Sequence, residues 1–232
     1  MNNSAGQKAE EQLVEIPAGA VTLEGNLILP KDSRALVLLA RGSASSRHSP
    51  RDRYVARLLN GAKLATLLID LLTPHEELID MRTAQLRFDI NLLAERLVGA
   101  TDWLSQFPDT GHLRIGYFGA GTVAAGSLVA VALRPNEVIA VVSRSGRPDL
   151  AGAALMRVQV ATLLIVGEHD AELIEPNRAA LAQLRGEKQL ATVPGATHFF
   201  EEPGALEIMA QLASDWFERH LVAGGTSHHD LV

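Results

Sequence analysis

Two side chains in the last third of the sequence have the types and surroundings for proton transfer. Asp170 ends the run Leu164-Ile165-Val166-Gly167-Glu168-His169-Asp170, an apolar strand running into a turn that presents an acid at its carboxyl end. His198 stands 28 residues later in Val193-Pro194-Gly195-Ala196-Thr197-His198-Phe199-Phe200, a loop of turn residues flanked by aromatics. A carboxylate that orients an imidazole makes it a general base, and this spacing leaves room for one strand-helix-strand step between them. Each residue alone has an ordinary explanation, the aspartate as a turn former and the histidine as polar surface. Together and in this order they favour a catalytic dyad.

A third segment, Tyr117-Phe118-Gly119-Ala120-Gly121-Thr122-Val123-Ala124-Ala125, turns sharply from an apolar strand into a helix of small residues. It has the form of the G-x-S-x-G elbow, which holds a nucleophilic serine in a strained turn. Here the order is G-A-G-T-V, so the central residue is Gly121 and the second glycine is Val123. Glycine accepts the positive φ of such a turn at no steric cost, but it brings no reactive oxygen. An ordinary strand-to-helix turn with a tight glycine explains the segment about as well. A phosphate-binding reading of Gly116, Gly119 and Gly121 is weaker, because the spacing is not G-x-G-x-x-G and no suitable acid follows about 20 positions later.

A fourth segment, Leu39-Ala40-Arg41-Gly42-Ser43-Ala44-Ser45-Ser46-Arg47-His48-Ser49, follows another apolar strand. Its small residues, Gly42 and Ser43 among them, would let a backbone N–H reach an oxyanion. Arg41, Arg47, Arg51 and Arg53 make it basic, and a nearby helix N-terminus would suit an anionic ligand group. A solvated basic face is the plainer explanation. Ser143, Arg144, Ser145 and Arg147 follow a further strand end and could line the same pocket. As replacement nucleophiles Ser43, Thr122 and Ser143 rank low, since none occupies the elbow. No cofactor or metal site is expected; His228, His229 and Asp230 cluster only in a terminal stretch without structural support.

These segments need a sheet to bring them together. Residues 14–29 alternate around Gly19 and Gly25 as a hairpin, and continuous apolar runs recur at 35–40, 65–72, 115–118, 138–143 and 162–167. Such runs suit strands covered on both faces, hence a mainly parallel sheet. The clearest helix spans 84–107, where Leu86, Ile90, Leu93, Leu97 and Leu104 form one stripe. Another begins with Ser49 as N-cap, Pro50 at the first position and Asp52 in the first turn. Further helices fit 124–133, 177–184 and 206–220. The alternation defines an open α/β sheet with helices on both faces, whose ligands collect at the carboxyl ends of the strands. Fewer than about twenty residues separate the strands at 138 and 162, too few for a lid domain.

With 232 residues, 47% of them hydrophobic, the chain can bury one large core. A formal charge of −6 gives no reason to approach nucleic acid or an anionic membrane. The absence of cysteine excludes disulfides, thiolate metal sites and a cysteine nucleophile. Residues 1–12 are polar and acidic, unlike a secretion signal, and no apolar stretch is long enough to span a bilayer, so a cytoplasmic protein is expected.

The assembled motifs resemble the dienelactone-hydrolase-like branch of the α/β-hydrolases. The likeness is carried by Arg47-His48-Ser49-Pro50-Arg51, Ile69-Asp70-Leu71-Leu72-Thr73, Gly116-Tyr117-Phe118-Gly119-Ala120, residues 143–150 and Pro194-Gly195-Ala196-Thr197-His198. It implies a lidless α/β-hydrolase domain over 13–222, between disordered tails at 1–12 and 223–232, with Asp170 and His198 as acid and base. It would place a serine at Gly121, a glycine at Val123, a histidine at Arg41 and a glycine at Ala44, and the chain departs at all four. Three functions stay open. The leading one is an enzyme using the dyad on a small ester, lactone or natural-product-like substrate, neutral or anionic, without a covalent serine step. The others are a serine esterase whose nucleophile was mutated, and an inactive small-molecule-binding pseudo-hydrolase. A small molecule is the expected partner, and a homodimer is an open option.

Overall fold

The computed structural model describes residues 9–42 and 47–222. Eight strands form one sheet in the order β1-β2-β4-β3-β5-β6-β7-β8. The first two, β1 (Glu11–Ala18) and β2 (Val21–Ile28), make the expected hairpin, and β2 pairs antiparallel with β4 (Ala65–Asp70). From β4 onward, β3 (Ala35–Arg41), β5 (Arg114–Gly121), β6 (Val138–Gly146), β7 (Ala161–Gly167) and β8 (Lys188–Val193) run parallel. The mainly parallel sheet follows from the apolar runs: every residue of β3 is buried, as a strand covered on both faces requires.

Alternate residues of the strands feed two cores. Leu36 and Leu38 point toward α3 (Ile90–Gln106) and α4 (Thr122–Leu133), where Leu93, Leu97 and Leu128 lie. Val37 and Leu39 point toward α1 (Pro50–Gly61) and α6 (Ala205–Phe217), where Leu59, Met209 and Phe217 lie. Nine of the twelve residues of α4 are buried, because it lies between the sheet and α3 rather than on the surface.

The helical stripe read across 84–107 breaks into two pieces, preceded by a separate helix. A capping box starts α2 (Pro74–Thr83): Glu76 N–H donates to Thr73 Oγ1 at 3.2 Å, and Thr73 N–H donates to Glu76 Oε2 at 2.8 Å. Ala84 then takes φ +54° and ends the helix, and Leu86 falls on a short 3₁₀ turn. Only at Asp89, whose carboxylate accepts from Leu92 N–H at 3.0 Å, does α3 begin. Helix α5 (Ala171–Gln183) starts six residues before the expected 177, with Pro176 inside it. At the C-terminus, α6 stops at Phe217 and a π-type turn carries the chain through Glu218–Val222. Pro50 holds the first position of α1, although the Ser49 side chain makes no capping hydrogen bond. Strand β1 already includes Glu11 and Gln12, so the ordered domain begins before residue 13; residues 1–8 and 223–232 of the expected tails lie outside the described residues.

Candidate active site

At the carboxyl end of β5 the chain turns into α4 with no intervening loop. Gly121 closes the strand at φ +57°, ψ −130°, a conformation that disfavours any residue with a side chain. Gly119 permits the close approach of strand and helix, because a Cβ there would lie 3.0 Å from Ser127 Oγ and 3.1 Å from the Ala124 nitrogen. The turn is fixed from both sides. Arg147 N–H donates to the Gly121 carbonyl at 2.9 Å, and the Thr122 hydroxyl donates to the Arg87 carbonyl. The Thr122 hydroxyl is thus occupied, and what Thr122 offers a ligand is its backbone N–H in the uncapped first turn of α4.

The acid and the histidine arrive on two loops stitched together. Beyond β7, Glu168 N–H donates to the Val193 carbonyl at 3.0 Å and His169 N–H to the Ala196 carbonyl at 2.9 Å. Gly195 N–H donates to Glu168 Oε2 at 2.7 Å. Gly167 makes this fit, since a Cβ there would come 2.4 Å from the Ala196 oxygen. The result is His198 Nδ1 at 2.8 Å from Asp170 Oδ2, with the Asp170 side chain 10% exposed and that of His198 43% exposed. Asp170 occupies the N-cap position of α5 but makes no side-chain cap bond, which leaves its carboxylate to the imidazole. In the tautomer that carries its proton on Nδ1, the imidazole donates to Asp170 and Nε2 is the nitrogen with a lone pair. Ser145 ties this loop to the elbow: its hydroxyl donates to the His198 carbonyl at 2.9 Å, and the next residue of β6, Gly146, pairs with Gly121.

No family model matches the chain. A dienelactone hydrolase from Anabaena variabilis has a solved structure that is 58% identical, covering 93% of this chain and 100% of that one, with a TM-score of 0.90. The chain belongs to the dienelactone hydrolase family. A dienelactone-hydrolase-like promiscuous phosphotriesterase from metagenomic libraries shares the fold at 18% identity and a TM-score of 0.74, over 92% of this chain and 99% of that one. Two Mycobacterium tuberculosis proteins, provisionally named phosphoribosyl transferases, are 52% identical over 224 residues. That match takes in 97% of this chain, and the chain spans about half the length of these curated relatives.

Around the elbow, this dienelactone hydrolase family member carries a set of buried charges. Arg41, the last residue of β3, pairs through Nε with Asp52 Oδ2 at 3.1 Å, both side chains being almost fully buried. Asp52 was readable as a helix-initiating acid; its service to Arg41 was not. Arg144 is 3% exposed, and neighbouring Ser143 is fully buried with its hydroxyl unpartnered. Both belong to β6, which runs three residues beyond the expected strand end, so neither stands on a loop. Gly42 leaves β3 against the first turn of α4, a Cβ there meeting Val123 Cγ2 at 3.3 Å. Ser43 lies outside the described residues.

Arg47 is held by partners from other strands. Its backbone N–H and Nη1 bind Asp70 at 2.8 and 2.9 Å, Nε binds Asn26 Oδ1 at 2.8 Å, and Nη2 pairs with Glu24. Three of its five guanidinium N–H donors are so used, which ties Arg47 to β2 and β4. Ser145 was under-read for a different reason. It adopts φ +42°, which a serine rarely does, and no residue pattern announces this. Among the described residues no group of three or more His, Cys, Asp and Glu could hold a metal, and no helix is long and apolar enough to cross a membrane. His228, His229 and Asp230 lie outside the described residues.

Proposed function

We propose that the chain is a hydrolase of small esters or lactones in which the His198 and Asp170 pair acts as general base without a covalent serine step. In this reading Gly121 stands where the family carries its nucleophile. The observation that carries it is the completed dyad, Nδ1 to Oδ2 at 2.8 Å, beside an elbow where a Cβ on Gly121 would meet nothing within 4 Å. The second half of that observation matters chemically: the space a nucleophile would fill can take a water molecule. Nε2 of His198 removes a proton from that water as its oxygen bonds to the carbonyl carbon. The carbonyl π pair moves to oxygen, toward the backbone N–H of Thr122. When the tetrahedral species collapses, the bond to the leaving oxygen breaks and the proton on Nε2 passes to it. The products are an acid and an alcohol, or a hydroxy acid from a lactone. A positioned base supplies about 100 to 10,000-fold to such a transfer.

The name of the curated relatives raises phosphoribosyl transfer as another activity. This chain spans only half of those proteins and is itself 58% identical to a dienelactone hydrolase over 93% of its length, which favours hydrolysis over phosphoribosyl transfer here.

Intact-mass analysis during turnover of an activated ester tests the proposal. The expected result is product without an acyl adduct on the native chain, and an adduct on Gly121→Ser. An acyl adduct on the native chain, or none on a folded Gly121→Ser variant, would overturn it.

A further inference from the structure

We propose that Ser145 is a positioning residue, whose hydroxyl holds the His198 loop at a fixed place against the elbow and accepts a strained backbone to do so. The inference rests on the general-base reading of the dyad and adds to it a residue from a third strand.

The backbone singles Ser145 out. In the strand register Ala120 pairs with Arg144 and Gly121 with Gly146, so Ser145 is one residue more than β5 can match, a bulge set opposite the elbow. It takes φ +42° at 1% exposure. The other non-glycine residues with positive φ, Asp32, Lys63, Ala84 and Phe200, lie outside the strands and helices. Glycine would adopt this conformation freely, so serine stands here against a steric preference. What serine adds over glycine is its hydroxyl, and that hydroxyl donates to the His198 carbonyl at 2.9 Å.

Contacts around the bulge reach all three parts of the site. Ser145 Oγ holds His198, Arg147 N–H holds the Gly121 carbonyl at 2.9 Å, and the Gly146 carbonyl accepts from Asn177 Nδ2 at 3.0 Å. Asn177 is fully buried on α5, the helix whose N-cap position Asp170 occupies. The other hydrogen bonds of residues 194–200 run to the acid loop at 168–169 or stay within 193–202. Among the described residues, then, it is the Ser145 hydroxyl that ties the base loop to the elbow side of the site. In the general-base reading this tie is needed. A side chain at the elbow could hydrogen-bond the imidazole and hold it in place, but Gly121 has none. Asp170 fixes the ring from the Nδ1 side at 2.8 Å, and the position of the loop relative to the elbow is left to Ser145. A reacting group displaced by about 1 Å can lose about 100-fold in rate.

The test compares Ser145→Gly with Ser145→Ala. Both lose the hydroxyl, but glycine relieves the backbone while alanine keeps the strain, so the glycine variant should unfold at the higher temperature. Positioning predicts that kcat on an activated ester falls by about tenfold or more in both, with KM within about twofold of the native chain. A purely structural serine predicts instead that activity follows stability, and native turnover by Ser145→Gly would overturn the proposal. Hydrogen–deuterium exchange read by mass spectrometry tests the tie without turnover: peptides covering 196–200 should exchange about tenfold faster or more in both variants, while those covering α4 stay as in the native chain. Native exchange at 196–200 in both variants would also overturn the proposal. A native chain that turns over no ester would sink the hydrolase reading, and the exchange measurement alone would then decide whether Ser145 holds the loop. Should Ser145→Ala fail to fold, Ser145→Gly carries both measurements.

Discussion

Replacing Arg144 by methionine should stabilise the protein, and the structure gives the size of the effect. The side chain is 3% exposed and has no ion-pair partner among the described residues, and its pKa is pushed down to about 9, first by desolvation and then by the charge of Arg41. Each tenfold change in that protonation equilibrium is worth about 1.4 kcal/mol, so the buried charge opposes folding by several kcal/mol at pH 7. Structural relaxation recovers part of this, and exchanging buried ions for apolar side chains of similar volume typically gains about 1–4 kcal/mol. Taking about 2 kcal/mol, and about 2–4 °C per kcal/mol for a domain of this size, Arg144→Met should raise Tm by about 4–8 °C. Urea unfolding should show a higher midpoint with an unchanged slope. A variant destabilised by more than about 1 kcal/mol would refute the reasoning, because it would mean that the protein itself satisfies this guanidinium.

Gly121→Ser should fold, since a Cβ there meets nothing within 4 Å, but at φ +57° it should lose about 1–2 kcal/mol, read as a lower urea midpoint. His220 should give the fold a pH dependence. Burial lowers its pKa, with Glu187 opposing and Arg219 adding to the effect, so the folded state favours the neutral ring. The unfolded chain then binds more protons just below the ordinary histidine value of about 6.5. Stability is full above that value and falls as the pH drops toward the lowered folded pKa. A His220→Gln variant should show a flatter midpoint against pH between about 5 and 7; an unchanged slope would assign the dependence to other groups.

The parts of the site legible in the sequence are those with strong local constraints. Asp170 and His198 each follow an apolar run and sit among turn residues, and the two loops do meet through hydrogen bonds between residues 167–170 and 193–196. The elbow was readable because only close packing explains Gly119 and only a positive φ favours glycine at 121. What escaped depends on contacts distant in the chain. The hold on Arg47 was not visible because its partners, Glu24, Asn26 and Asp70, come from other strands. Arg144 looked like a loop residue because a buried, unpaired arginine defies the rule that charges mark strand ends. The helix at 84–107 was read as one piece because the apolar stripe outlasts the backbone: Ala84 turns left-handed, and Asp80 captures Arg87 N–H at 2.9 Å and Nε at 2.7 Å.

The central claim is that His198, oriented by Asp170, is the base. The most direct measurement is kcat/KM of the native chain and of His198→Ala on a panel of small esters and lactones, with thermal unfolding confirming that both are folded. The account predicts turnover by the native chain above the buffer rate and a loss of about 100 to 10,000-fold in the variant. Turnover unchanged by the substitution, or none by the native chain on any member of the panel, would contradict it.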